Sequence, residues 1–120
     1  MGKKILVIDD NQFNVQLVQA RLEQKQYEVA AAFSGQEGLE KVKSEKPDLI
    51  LLDVQMPEMN GYTFMMELDK IQESREIPVI VLTAHQEMQP IFQRKGVKGY
   101  LIKPLNFDDL NKLIEECLGN

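Results

Sequence analysis

Several features that mark whole classes of protein are scarce or missing here. Cysteine occurs once in 120 residues, at Cys117, so no disulfide within the chain is possible. That residue falls on the stripe Leu110, Leu113, Ile114, Cys117, Leu118 at helical spacing, which predicts packing rather than redox chemistry. Basic residues are outnumbered, 14 Lys and Arg against 19 Asp and Glu, for a formal net charge of −5. Such a balance lacks the clustered positive charge that phosphate backbones require, so nucleic acid is not expected as a direct partner. No apolar stretch approaches the roughly 20 residues that span a bilayer. Met1-Gly2-Lys3-Lys4 leads straight into a strand pattern rather than a signal peptide, so a cytoplasmic location and no membrane partner are the expectation. Repeats, low-complexity tracts and linkers are also missing, so residues 1–120 are expected to form a single domain.

What is present is a set of short apolar runs, each ending on a residue able to do chemistry. Ile5-Leu6-Val7-Ile8 runs into Asp9 and Asp10, and Leu49-Ile50-Leu51-Leu52 into Asp53. Val79-Ile80-Val81-Leu82 runs into Thr83, and Tyr100-Leu101-Ile102 into Lys103. Runs of this length and hydrophobicity suit parallel strands buried on both faces. If they are neighbours in one sheet, their C-terminal ends share an edge, which is where open α/β sheets bind ligands.

Helical patterns alternate with these runs. Asn11 is placed to cap a helix carrying Val15, Val18 and Leu22, and a further strand is predicted at about Glu28 to Ala32. Ser34-Gly35-Gln36-Glu37 reads as a capping box, with Leu39 and Val42 facing inward until Lys46-Pro47 stops the helix. Phe64, Leu68 and Ile71 form the stripe of a third helix, Ile77-Pro78 opens the next strand, and Asn106 starts a last helix with Asp108 and Asp109 in its first turn. Five β-α units of this kind call for a parallel sheet covered on both faces and joined by right-handed crossovers.

Brought to one edge, Asp9, Asp10 and Asp53 are three negative charges in a small crevice, a repulsion that a divalent cation relieves. Magnesium suits oxygen-only ligands, taking one or two carboxylates plus a phosphate oxygen and keeping waters. A carboxylate such as Asp53 beside that cation is open to attack on phosphorus. The Lys103 ammonium then neutralises phosphoryl charge, and the Thr83 hydroxyl donates to a phosphoryl oxygen. The expected chemistry is phosphoryl transfer to an aspartate.

Taken together, Ile8-Asp9-Asp10-Asn11, Leu52-Asp53-Val54-Gln55-Met56-Pro57, Asn60-Gly61, Leu82-Thr83-Ala84 and Tyr100-Leu101-Ile102-Lys103-Pro104 make the chain resemble a bacterial two-component response-regulator receiver domain of the single-domain, chemotaxis-regulator-like kind. The resemblance covers essentially the whole length. It implies a flavodoxin-like (βα)5 doubly wound α/β fold with strand order 2-1-3-4-5. It implies Asp53 as phosphoacceptor, with Mg²⁺ bound directly by Asp10, Asp53 and the backbone carbonyl of Gln55, and by Asp9 mainly through a water. It further implies Thr83 and Tyr100 as a switch pair, a cis Lys103-Pro104 bond, and a conformational change near the fourth helix, fifth strand and fifth helix. The phosphoryl group would come from a sensor histidine kinase or a histidine phosphotransfer protein, and the output would be contact with a downstream protein. On this reading the chain is a regulator rather than an enzyme, catalysing only its own phosphorylation and dephosphorylation. Ending just after the last helix, it is expected to carry no output domain.

Other readings differ at identifiable positions. A receiver-like binding module that acts without phosphorylation would be expected to lack one of the acidic residues, the acceptor or the lysine, and all are present. An aspartyl-phosphate phosphatase needs an acid two residues after its nucleophile, where this chain has Gln55. A nucleotide-binding protein needs glycines after the first strand, and Asp9-Asp10-Asn11-Gln12 has none. His85, the only histidine, lies two residues beyond Thr83 and with Gln55 is a candidate modulator of phosphoryl lifetime. The departures from the family pattern gather in residues 84–98, where Pro90 allows a helix to begin no earlier than about Glu87. Gly38, in a helix interior, points to close packing.

Overall fold

The first apolar run forms β1 (Lys4–Ile8), and β3 (Leu49–Asp53) and β4 (Val79–Thr83) form from the next two. The edges are β2 (Glu28–Ala32) and β5 (Gly99–Ile102), and all five strands pair in parallel in the order β2-β1-β3-β4-β5. The computed structural model describes residues 2–54, 59–71, 76–84, 88–94 and 96–119. Every residue of β3 and β4 is buried, whereas β2 and β5 are mostly half-buried, as expected of edge strands.

Alternation along the strands sorts side chains to two faces. Leu6, Ile8, Ile50, Leu52 and Val81 pack with Val42, Phe64, Leu68 and Phe92 on one side. Ile5, Val7, Leu49, Leu51, Ile80 and Leu82 pack with Val15, Val18, Leu22, Leu110 and Ile114 on the other. Helices α2 (Gly35–Glu45), α3 (Gly61–Leu68) and α4 (Gln89–Arg94) therefore cover the first face, and α1 (Gln12–Gln24) and α5 (Phe107–Leu118) the second. This is the doubly wound arrangement, with the strand order implied by the resemblance.

Four helices start on side-chain caps, each receiving the N–H three residues on. Asn11 accepts from Asn14 at 3.1 Å, Ser34 from Glu37 at 3.1 Å, Asn60 from Thr63 at 2.9 Å and Asn106 from Asp109 at 3.1 Å. Glu37 closes its box one residue early, its carboxylate accepting the N–H of Phe33 at 2.7 Å rather than that of Ser34. Helix α2 ends at Lys46, which turns left-handed at φ 49° just before Pro47. Two expectations on extent need correction. The third helix stops at Leu68, and Ile71 reaches the core from the following turn rather than from the helix. The strand expected from Ile77-Pro78 begins at Val79, while the Pro78 carbonyl already accepts the N–H of Ile50 at 3.0 Å. Helix α4 is short, with Pro90 as its second residue, where the missing N–H costs nothing; Glu87 lies outside the described residues.

Two glycines record close approach. A Cβ on Gly38 would meet the Ile8 Cδ1 at 2.6 Å and the Phe64 Cε1 at 3.1 Å. A Cβ on Gly61 would come within 2.6 Å of the backbone Cα of Val54, whose carbonyl accepts the Gly61 N–H at 2.8 Å. This contact clamps the start of α3 against the chain just beyond Asp53. Gly61→Ala is expected to destabilise by about 1–3 kcal/mol, since a backbone atom has to shift. Gly38→Ala should cost less, because side-chain ends give way and helix propensity returns up to about 1 kcal/mol. Urea unfolding of both variants checks the order, read as a lower midpoint at unchanged slope.

Candidate functional site

Register decides which side chains meet. Ile8 pairs with Leu52, so Asp9 leaves β1 opposite Asp53 at the end of β3. Thr83 pairs with Ile102, so Lys103 leaves β5 beside the end of β4, and its N–H donates to the Thr83 carbonyl at 2.7 Å. The Lys103-Pro104 peptide is cis, as the resemblance implies. Carboxylate oxygens of Asp9, Asp10 and Asp53 all lie within 4.8 Å of one another. Asp9 and Asp53 are only 7% and 8% exposed, Thr83 is fully buried, and Asp10 faces solvent.

Asp9 is held from both of its carboxylate oxygens. Its Oδ1 accepts the N–H of Asn11 at 2.9 Å, and its Oδ2 accepts from the Lys103 Nζ at 3.3 Å and the Asn14 Nδ2 at 3.4 Å. The same ammonium stands 3.9 Å from the Asp53 Oδ2. Asp9 and Asp10 precede the N-terminus of α1, whose positive end favours negative charge. Even so, among the described residues three carboxylates gather beside the Lys103 ammonium. At an effective dielectric of about 20, two charges less than 5 Å apart repel by about 3 kcal/mol, and this applies most directly to the buried Asp9 and Asp53. A hard, oxygen-seeking cation fits that donor set. Beside these groups a cleft of about 300 Å³ opens between α1 and α5, walled by Val7, Leu51, Leu82 and Phe107.

Tyr100, on the edge strand β5, packs against the face that carries α2, α3 and α4. Its ring is 6.2 Å from that of Phe92 on α4, and Phe92 is 6.3 Å from Tyr62 on α3. Asp9, Asp10, Asp53, Thr83 and Lys103 thus share one sheet edge as the sequence predicts, while Gln55 and His85 lie outside the described residues. The sequence reading missed Asn14. Its only signal is local: the third helical position of α1 is an amide, where α2 and α5 place Glu37 and Asp109. Cys117 is half-buried among the apolar residues of α5, and burial pushes its thiol up, away from the reactive thiolate.

Comparison with known proteins shows the family of the chain. The response regulator receiver domain family matches residues 5–115. The chain belongs to that family. The receiver is 35% identical over 118 residues to Protein PilH of Pseudomonas aeruginosa, covering 97% of this chain and 98% of PilH. It is 37% identical over 118 residues to the transcriptional regulatory protein ZraR of Escherichia coli (strain K12), covering 97% of this chain but only 26% of ZraR. Among solved structures, response regulator protein TrrA of Thermotoga maritima, in complex with Mg(2+)-BeF, superposes with a TM-score of 0.87 at 31% identity, covering 97% of this chain and 99% of TrrA. Receivers are phosphoacceptor signalling domains of two-component systems, and this chain is one of them.

The charge imbalance predicts substitutions of opposite sign. In chelator, Asp53→Asn is expected to raise the melting temperature, because it removes one of two buried like charges. Lys103→Met is expected to lower it, because Asp9 and Asp53 then lose the cation between them. Thermal denaturation with and without chelator checks both directions.

Proposed function

We propose that Asp53 takes the phosphoryl group, with the rest of the edge serving that transfer. The observation that carries this reading is the Lys103 ammonium, placed between two buried carboxylates at 3.3 Å from Asp9 and 3.9 Å from Asp53. A side-chain oxygen of Asp53 attacks phosphorus as the phosphorus–nitrogen bond of a phosphohistidine breaks. The bond's electrons return to the imidazole, and an acyl phosphate forms on Asp53. Lys103 swings the short distance from Asp9 toward the new phosphoryl oxygens, and Thr83 donates its hydroxyl to one of them. Mg²⁺ would be held by Asp10, Asp53 and the Gln55 carbonyl, with Asp9 acting through a water, and would supply charge neutralisation for the incoming phosphate. Loss of the phosphoryl group is attack by water on the same phosphorus, and Gln55 and His85 are proposed to set how easily that water enters. Residues 1–120 act as one receiver domain, in the cytoplasm, with a sensor histidine kinase or histidine phosphotransfer protein as donor.

Thr83 and Tyr100 form the switch. When the Thr83 hydroxyl follows the phosphoryl oxygen, Tyr100 fills the space it leaves, and the surface around α4, β5 and α5 changes for a protein target. The bias between states comes from that hydrogen bond, which exists only in the phosphorylated form.

Incubation with acetyl phosphate and Mg²⁺, followed by intact mass, is expected to show one added phosphate on the wild type. Asp53→Asn should show none while keeping its fold, because the amide is nearly isosteric but a far poorer nucleophile. Phosphate found on another residue at undiminished yield would defeat the assignment. Thr83→Ala should still take phosphate but lose most of the wild-type chemical-shift response across α4 and α5; matching shifts in the two proteins would rule out the coupling.

A further inference from the structure

We propose that Asn14 is a positioning residue for phosphoryl transfer, holding the Asp9 carboxylate in place while Lys103 leaves it for the phosphoryl group. The inference rests on the reading of Asp53 and Lys103 given above. Before transfer, the Asp9 Oδ2 accepts from the Lys103 Nζ at 3.3 Å and the Asn14 Nδ2 at 3.4 Å. Asp9 is 7% exposed, so it gains little from water when the ammonium departs. Besides the metal-bound water proposed above, its remaining donors among the described residues are then the Asn11 N–H on Oδ1 and the Asn14 amide on Oδ2. A buried carboxylate that loses donors bears the desolvation cost of that loss, and the Asn14 amide offsets part of it. Without Asn14, Asp9 keeps its hold on Lys103 and the ammonium is less available to the phosphorus.

Local preference argues against a purely helical role. Asn14 is the third residue of α1, a position at which a glutamate or aspartate would favour the helix through the capping box and the dipole. Helices α2 and α5 have Glu37 and Asp109 there, whereas α1 and α3, with Asn14 and Thr63, have no acidic residue in the first turn. An acid at position 14 would be a fourth carboxylate beside Asp9, repelling it and competing for Lys103. A neutral amide is the side chain of this size that donates to Asp9 without adding charge.

The test follows phosphate incorporation from acetyl phosphate at saturating Mg²⁺ by intact mass. In parallel, Mg²⁺ half-saturation is measured from the metal-induced rise in melting temperature. Asn14→Leu is expected to slow phosphorylation about tenfold, the equivalent of about 1.4 kcal/mol, and Asn14→Gln, which keeps the donor, to recover most of the rate. Asn14→Asp should be slow as well, yet bind Mg²⁺ at least as tightly as the wild type, because the added charge attracts the cation while obstructing Lys103. In an Asp9→Asn background the Asn14→Leu effect should vanish, since Asn14 acts through that carboxylate. An Asn14→Leu protein with the wild-type rate overturns the proposal. So does a loss of rate that Asn14→Gln shares in proportion to lost stability, or that persists undiminished in Asp9→Asn. A wild type that takes no phosphate refutes instead the reading of Asp53, so the two failures are told apart.

Discussion

The sharing of one ammonium among buried carboxylates governs how the rest of the fold is built. Like charges as close as Asp9, Asp10 and Asp53 would separate if the chain let them. What prevents this is the stiffness of the strands that end on them: every residue of β3 is buried, and in β1 only Lys4 is not. The same edge is closed by Lys103, whose main-chain N–H is tied to Thr83 while its side chain reaches back to Asp9. A folding framework that concentrates negative charge in this way stores a demand for positive charge, and a metal ion and a phosphoryl group are met by different parts of it. In the proposed chemistry the carboxylates attract the cation, and the lysine attracts the phosphate.

Much of this arrangement is legible in the sequence because the site is made of strand ends. A fully buried parallel strand is a short apolar run, and the residue that breaks the run is where the chain leaves the sheet. Asp53, Thr83 and Lys103 are therefore located by the hydrophobicity that precedes them. Helix starts are legible for a related reason, since Asn11, Ser34, Asn60 and Asn106 each satisfy an N–H only three residues away. The information is local, so one sequence carries it.

What was not legible depends on partners distant in the chain. Ile71 continues the periodicity of Phe64 and Leu68, yet the helix ends first, and the turn after it delivers Ile71 to the core. Periodicity records burial and does not distinguish a helical residue from one that packs just beyond. Asn14 was missed because its amide matters only once Lys103, from the far end of the sheet, arrives at the same oxygen of Asp9. Nothing in residues 11–14 announces that meeting. Only the absence of an acid where α2 and α5 place one hints at it. The Gly61 contact is similar, since a glycine at the start of a helix gains its meaning from the Val54 backbone packed against it.

Stiffness is unevenly distributed, and the unevenness has a direction. The proposed acceptor, Asp53, lies on a strand buried throughout and next to another, β4, that is buried throughout. Tyr100 lies instead on an edge strand of four residues, half-buried along most of its length, and the ring it touches belongs to a helix of six. A short helix carries few internal hydrogen bonds and owes its place to packing, here chiefly that of the fully buried Phe92. Strain introduced at Asp53 meets resistance from β1, β3 and β4, whose side chains are fixed by both layers of helices. It meets less at β5 and α4, where one side is open to solvent. A phosphoryl group held, as proposed, between Thr83 and Lys103 would therefore act on the part of the sheet best able to yield, and the aromatic contacts from Tyr100 through Phe92 to Tyr62 would carry that yielding toward α3.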